Sequence, residues 1–247
     1  MQDYTDNNNP YASPYSVASQ SENVRAEFIR KTYAHLAGAI ALFAAIEYVL
    51  FQIPGIENMV SLMVGGRWSW MIVLGLFMGV SFIANKWAMS NTSKATQYLG
   101  LGVYVVAQAV ITLPLLIVAA RYVPAADTGL GIIANAGFIT IALVAGITVV
   151  ALTSKKDFAF LDGFLKIGGL IAMGAIVMSI VFGFSLGIFF SAIMVIFASV
   201  AILRETAKIK YNYNTNQYVA ASLGLFASVA LLFWYILQIL ISLASSE

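Results

Sequence analysis

Cysteine is absent from this chain, histidine occurs once, and only 13 basic and 11 acidic side chains are spread over 247 residues. Each scarcity excludes a class of chemistry. Without thiols there is no disulfide, no thiolate metal ligand and no cysteine nucleophile. With His35 as the sole imidazole, an H-E-x-x-H metal site cannot be built. Neither a Walker-type glycine loop nor an acidic cluster with metal-ligand spacing occurs, so no metal, cofactor or enzymatic activity is expected. Charged residues make up 10% of the chain against 61% hydrophobic, too few to solvate the surface of a water-soluble globule. Lipid is the expected solvent. A net charge of +2 with no basic face argues against nucleic acid as a partner.

What the chain does have is long apolar runs. Spans are expected over residues 33–53, 68–88, 97–120, 130–153, 164–184, 186–203 and 217–243, each near the roughly 20 residues that a bilayer core requires. Residues 164–203 carry only Lys166 as a charge and could pass for one helix. At about 1.5 Å per residue it would run about 60 Å, twice the hydrocarbon thickness. The segment must reverse, and Gly183-Phe184-Ser185-Leu186-Gly187 is the place for it. Fold class is therefore all-α: a bundle of seven transmembrane helices over residues 25–247, preceded by a disordered polar tail over residues 1–24.

Orientation follows from the basic residues. Counting the breaks alternately, eleven of the 13, from Arg25 to Lys210, share one side, and only Arg67 and Arg121 take the other. Lys and Arg are retained on the cytoplasmic side. The N-terminus is thus expected inside and the C-terminus, after seven spans, outside. Gly75 and Gly79 in the second span, with Ala34/Gly38 and Ala142/Gly146 elsewhere, have the small-residue spacing that lets helices approach closely, and packing within the bundle is their expected use.

Few ionisable groups fall inside the spans, where such groups usually mark function. His35, near the basic end of the first span, is expected to hydrogen-bond a neighbouring helix. Glu47 lies 12 residues further on and close to Pro54, so it is expected to reach water at the far end. Glu205 has Lys208 one turn away, a spacing suited to an ion pair. Gly183 to Gly187 matches the letters G-x-S-x-G of serine hydrolases, but the turn joins two helices about a bilayer away from His35, beyond the reach that a nucleophile and its base require. Pro114, flanked by Gln108 and Thr112, is the strongest sign of an interrupted helix, because proline removes a donor and frees a carbonyl one turn back.

Four stretches at the basic turns, Phe28 to Tyr33, Thr153 to Leu165, Ile202 to Thr206 and Tyr218 to Phe233, resemble motifs of the Bax inhibitor-1 (YccA-like) family. Phe28-Ile29-Arg30-Lys31-Thr32-Tyr33 looks like the F-[LI]-R-K-x-Y that begins the family's first helix. Thr153 to Leu165, with Lys156, Asp157 and Phe158 at its centre, resembles the T-x-x-K-x-D-F…G-x-F-L loop. Ile202-Leu203-Arg204-Glu205-Thr206 stands in the place of I-L-Y-D-T, and Tyr218 to Phe233 in that of Y-V-x-A-A-L-x-L-Y-L-D-F-I-N-L-F. The resemblance implies a seven-helix bundle with a central last helix, an association with stress or cell-death control and with calcium leak, and in bacterial members modulation of a membrane-bound protease. It also implies a pH response from two aspartates sharing a proton, as coupled carboxylates do.

This chain departs from that pattern. Glu205 replaces the first aspartate and Ser228 the second, and serine does not ionise; Leu231 stands for the usual asparagine and Arg204 for the tyrosine. The expectation is a divergent member in a bacterial cytoplasmic membrane, a calcium leak or ion-homeostasis protein with altered pH gating, its calcium gating weakened or lost. Its ion path would involve Glu205, Ser228, Pro114 and Gln108. The alternative is a non-conducting regulator that binds a membrane-bound protease or another membrane partner.

Overall fold

The computed structural model describes residues 16–90, 93–122, 131–154 and 156–245. Among the described residues eight α-helices form: α1 Glu22–Phe51, α2 Ile56–Val64, α3 Arg67–Ala88, α4 Lys94–Tyr122, α5 Ile132–Thr153, α6 Leu161–Phe182, α7 Gly187–Tyr211 and α8 Tyr218–Ala244. All but α2 are long and apolar enough to cross a membrane. Each expected span falls on one of these seven, and the chain is a multi-pass integral membrane protein.

Lateral contacts sort the helix ends into two sets. At one end Arg204 near the end of α7 meets Asp162 at the start of α6, Lys210 caps the end of α5, and Lys94 at the start of α4 reaches the carbonyl of Asn216 just before α8. At the other, Arg67 of α3 donates to the carbonyl of Val181 near the end of α6, Arg121 of α4 pairs with Glu57 of α2, and Ser191 of α7 donates to Gln238 of α8. The seven long helices therefore alternate in direction. The first set carries most of the lysines and is called the basic end below. Reversal between α6 and α7 takes place at the expected glycines, both left-handed, with φ of 74° at Gly183 and 69° at Gly187, a region where a Cβ is penalised.

α4 and α8 occupy the centre. α8 buries residues on every side, among them Ala221, Leu223, Leu225, Leu232 and Leu237, and a helix apolar all round belongs in an interior. Phe43 of α1, Phe226 of α8 and Tyr104 of α4 interlock halfway through, with ring centres 6.1 Å apart in both pairs that Phe226 makes. α6 lies at the periphery, where Ala172 is its sole buried residue and Phe164 stacks on Phe197 of α7.

Three details differ from the expectation. The segment between the first two spans contains α2, whose Ile56 and Val60 pack on Leu113 and Ile117 of α4 and on Leu50 and Phe51 of α1. Of the tail expected over residues 1–24, residues 1–15 lie outside the described residues, as does Lys155 of the basic loop. Residues 16–24 are folded: Val17–Ser19 forms a 3-10 turn, Val17 is fully buried, its N–H donates to the carbonyl of Tyr213 at 2.9 Å, and α1 begins at Glu22. The small-residue pairs are not the packing points. A Cβ at Gly75, Gly79, Gly38 or Gly146 would meet nothing within 4 Å, whereas one at Gly100 of α4 would lie 2.5 Å from the carbonyl oxygen of Ala84 and 2.6 Å from the nitrogen of Ala88, both on α3. Close approach is set by where two helices cross, which spacing alone does not show.

Candidate ion path and gating site

Glu205 sits on α7 facing α8. Its carboxylate is mostly covered: Oε1 accepts from Lys208 Nζ at 2.6 Å, as the spacing suggested, and Oε2 accepts from the Tyr213 hydroxyl at 3.3 Å. The α8 residue beneath it is Gly224, where a Cβ would stand 2.8 Å from Oε2. Glycine there lets the acid lie against the α8 backbone. Ser228 is one turn further along α8, and its hydroxyl donates back to the carbonyl of Gly224 at 3.1 Å. Glu205 and Ser228 thus flank the same turn of α8 without a hydrogen bond between them.

Ser228 also lines a cavity of about 810 Å³ between α3, α4, α6, α7 and α8. The cavity runs from Ser242 and the Gly183–Gly187 turn inward to Tyr104 and Ser228, about 21 Å along α8 at 1.5 Å per residue. Its walls are mostly apolar, with neutral polar groups from Gln108, Ser179, Ser185, Ser191 and Gln238, and no Asp, Glu, Lys or Arg is among the described residues lining it. Beyond Ser228, toward the basic end, lie Phe226 with its two aromatic neighbours and the Glu205–Gly224 contact. The inner end of the cavity at Ser228 is thus one turn of α8 from the covered Glu205 carboxylate.

Gln108 lies on the cavity wall and donates to Thr112 Oγ1 at 3.1 Å, while Thr112 donates to the carbonyl of Gln108 at 2.7 Å. Pro114 does not border the cavity. It is buried within α4, which continues through it to Tyr122. Of the four path candidates, the structure places Ser228 and Gln108 on the lining of one cavity and sets Glu205 one turn beyond.

The basic-loop motif has an architectural role. Asp157 Oδ1 accepts from the N–H of Ala159 at 3.0 Å, the Lys156 N–H donates to Ser154 Oγ at 3.1 Å, and Phe158 takes a left-handed φ of 56°. Such a turn is what Asp supports by bonding the backbone two residues on. It presents the carbonyl of Asp157 to Arg204 at 2.9 Å. Arg204 is 3% exposed and makes a two-pronged pair with Asp162, both bonds 2.7 Å, plus a bond to Asn212 Oδ1 at 3.3 Å. Sequence reasoning noticed Arg204 only as a departure from a family pattern. The missed signal was that an arginine at a helix end facing a loop with two acids has a partner available.

His35 does bond a neighbouring helix. Nδ1 is 2.7 Å from the carbonyl of Lys31, which can only accept, so Nδ1 carries the proton and Nε2 accepts from the Tyr98 hydroxyl at 2.9 Å. Glu47 does not reach water. It is 6% exposed, and neither carboxylate oxygen has a hydrogen-bond partner among the described residues. One turn further along α1, Leu50 and Phe51 pack against residues of α2 and α4, so this end of the helix is set in protein.

Over residues 25–245 the chain matches the sequence profile of the family described as inhibitor of apoptosis-promoting Bax1. It is also 28% identical over 214 residues, 85% of this chain and 87% of the other, to an uncharacterized protein of Pseudomonas aeruginosa. The profile spans all seven long helices together with the Glu205 turn and the cavity wall, and the chain belongs to the Bax inhibitor-1 family.

Proposed function

We propose that this protein is a cation leak pathway of a bacterial cytoplasmic membrane, closed in the conformation described, with the basic end facing the cytoplasm and the C-terminus outside. The observation that carries the reading is the cavity that stops one helical turn short of a covered carboxylate. Glu205 draws cations to the inner mouth, and the Gly224 contact with Lys208 and Tyr213 holds it shut. Calcium, a hard cation that takes neutral as well as charged oxygens, is the ion to test. Ser228 and Gln108 offer neutral oxygens at the inner end, and with Ser228 in place of a second acid the shared-proton gate of the family is absent.

Purified protein in liposomes should pass calcium faster than empty vesicles. Glu205→Gln should lower the flux, and Glu47→Gln, off the route, should leave it unchanged. Gly224→Ala should raise it, because the new methyl displaces the flexible end of Glu205 rather than backbone. Flux equal to that of empty vesicles at both mildly acidic and mildly alkaline pH would end the leak reading. Ser228→Asp places a second carboxyl one turn from the first and should introduce a pH-dependent response.

A second reading draws on the absence of any acid among the described residues that line the cavity: a non-conducting regulator that binds a membrane-bound protease or another membrane protein through its basic-end loops and tail. Deleting residues 2–15 should then reduce recovery of the crosslinked partner. The deletion must stop there because Val17 is part of the core. Equal recovery would clear the tail of that role.

A further inference from the structure

A second groove, about 320 Å³, lies on the outer face of the bundle between α1 and α4. Its lining begins at His35 and Tyr98. One helical turn beyond the lining, toward the basic end, stand Lys31 of α1 and Lys94 of α4, whose ammonium groups are 5.7 and 4.2 Å from the centre of the Tyr218 ring. At the lining, the His35–Tyr98 hydrogen bond bridges the two helices. Further on, the lining is apolar and partly without side chains: Gly38 and Gly102, with Leu101 and Val105. A Cβ at either glycine would meet nothing within 4 Å, so the space there is open.

Charge follows the same order. Lys94 donates to the carbonyl of Asn216 at 2.5 Å and to Gln97 Oε1 at 3.2 Å, both uncharged acceptors, so its charge is not neutralised by these bonds. Lys31 shares Glu27 at 2.7 Å, with both side chains about half exposed. A cationic rung, then a polar rung, then an open apolar trough matches, level by level, the phosphate, ester and acyl regions of a lipid standing in the leaflet at the basic end. Basic pockets between membrane helices take anionic headgroups for this reason.

We propose that this groove binds one anionic phospholipid, its phosphate held by Lys94 and Lys31, its ester region beside Tyr98 and one acyl chain on the Gly38–Gly102 floor. The inference does not depend on the leak reading, since its test measures no flux. Full-length protein in detergent is incubated with phosphatidylglycerol, phosphatidylcholine or glycerophosphate, and bound molecules are counted by native mass spectrometry. One phosphatidylglycerol should be retained in preference to phosphatidylcholine. Lys94→Gln should weaken retention about fivefold, as expected for one lysine at a membrane surface, while Lys166→Gln, outside the groove, should not change it. Gly102→Leu should abolish retention at an unchanged unfolding temperature. If that variant is unstable, Gly38→Leu on the facing wall gives the same block. Equal retention of phosphatidylcholine, competition by glycerophosphate as effective as by the lipid, or retention unaffected by Lys94→Gln and the leucine block would each overturn the proposal.

Discussion

Asp162→Ala is expected to destabilise the bundle more than Arg204→Met, although both delete the same ion pair. The two partners are unequally covered: the Arg204 side chain is 4% exposed and that of Asp162 36%. Removing the aspartate strands a guanidinium inside the protein with only the Asp157 carbonyl and the Asn212 amide oxygen to receive its protons. Breaking a buried pair in that sense costs about 3 kcal/mol or more, because the remaining charge is uncompensated. Removing the arginine leaves a carboxylate that can turn to water, and methionine fills much of the vacated space. That change should cost about 1 kcal/mol, near the value of an ordinary hydrogen bond. Consequently the double variant should unfold close to Arg204→Met alone and well above Asp162→Ala. Thermal unfolding in detergent micelles reads the order directly, and equal losses from the two single variants would mean that Arg204 escapes to solvent at the basic end.

Gly100→Ala carries the second large effect. Its methyl would press on the Ala84 oxygen, the Ala88 nitrogen and, at 3.1 Å, the Trp87 Cβ. These are backbone atoms and the root of a side chain, so nothing flexible can step aside and α3 must shift as a body. Overpacking of a close-packed contact costs about 1–3 kcal/mol, and with backbone on both sides the upper part of that range applies. Gly75→Ala and Gly79→Ala form the contrast. Open space around them leaves only the helix-propensity gain of alanine over glycine, about 0.5–1 kcal/mol, so the same unfolding measurement should show no loss. A loss at Gly75 or Gly79 would reveal a partner helix from a second molecule packed on that face.

These contrasts mark how far the sequence could be read. Seven spans and the glycine turn between α6 and α7 are matters of length and chain chemistry, and both were visible. So was the Glu205–Lys208 pair, which needs only helical spacing. α2 was hidden because nine residues between Gly55 and Gly65 are too short for a span and sit among turn-forming glycines. Glu47 was misplaced because its burial depends on how other helices pack around that end of α1, which run length does not show. The Arg204–Asp162 pair joins residues 42 apart in sequence, and no local period reports such a contact. Among the path candidates on α4, Gln108 lines the cavity that Ser228 also borders while Pro114 stands off it, a distinction that rotation about the axis of α4 decides and that residue type does not.

The sequence by itself determined that this chain lives in lipid, how many spans it has and where the chain turns between α6 and α7. Composition and run length suffice for these because the bilayer imposes one thickness and one polarity on every segment. Tertiary structure decided which glycine is a contact and which is open space, which acid is paired and which is sealed away, and that a cavity ends one turn short of Glu205. Those outcomes depend on how neighbouring helices rotate and cross, and both are fixed by many weak contacts acting together across the bundle.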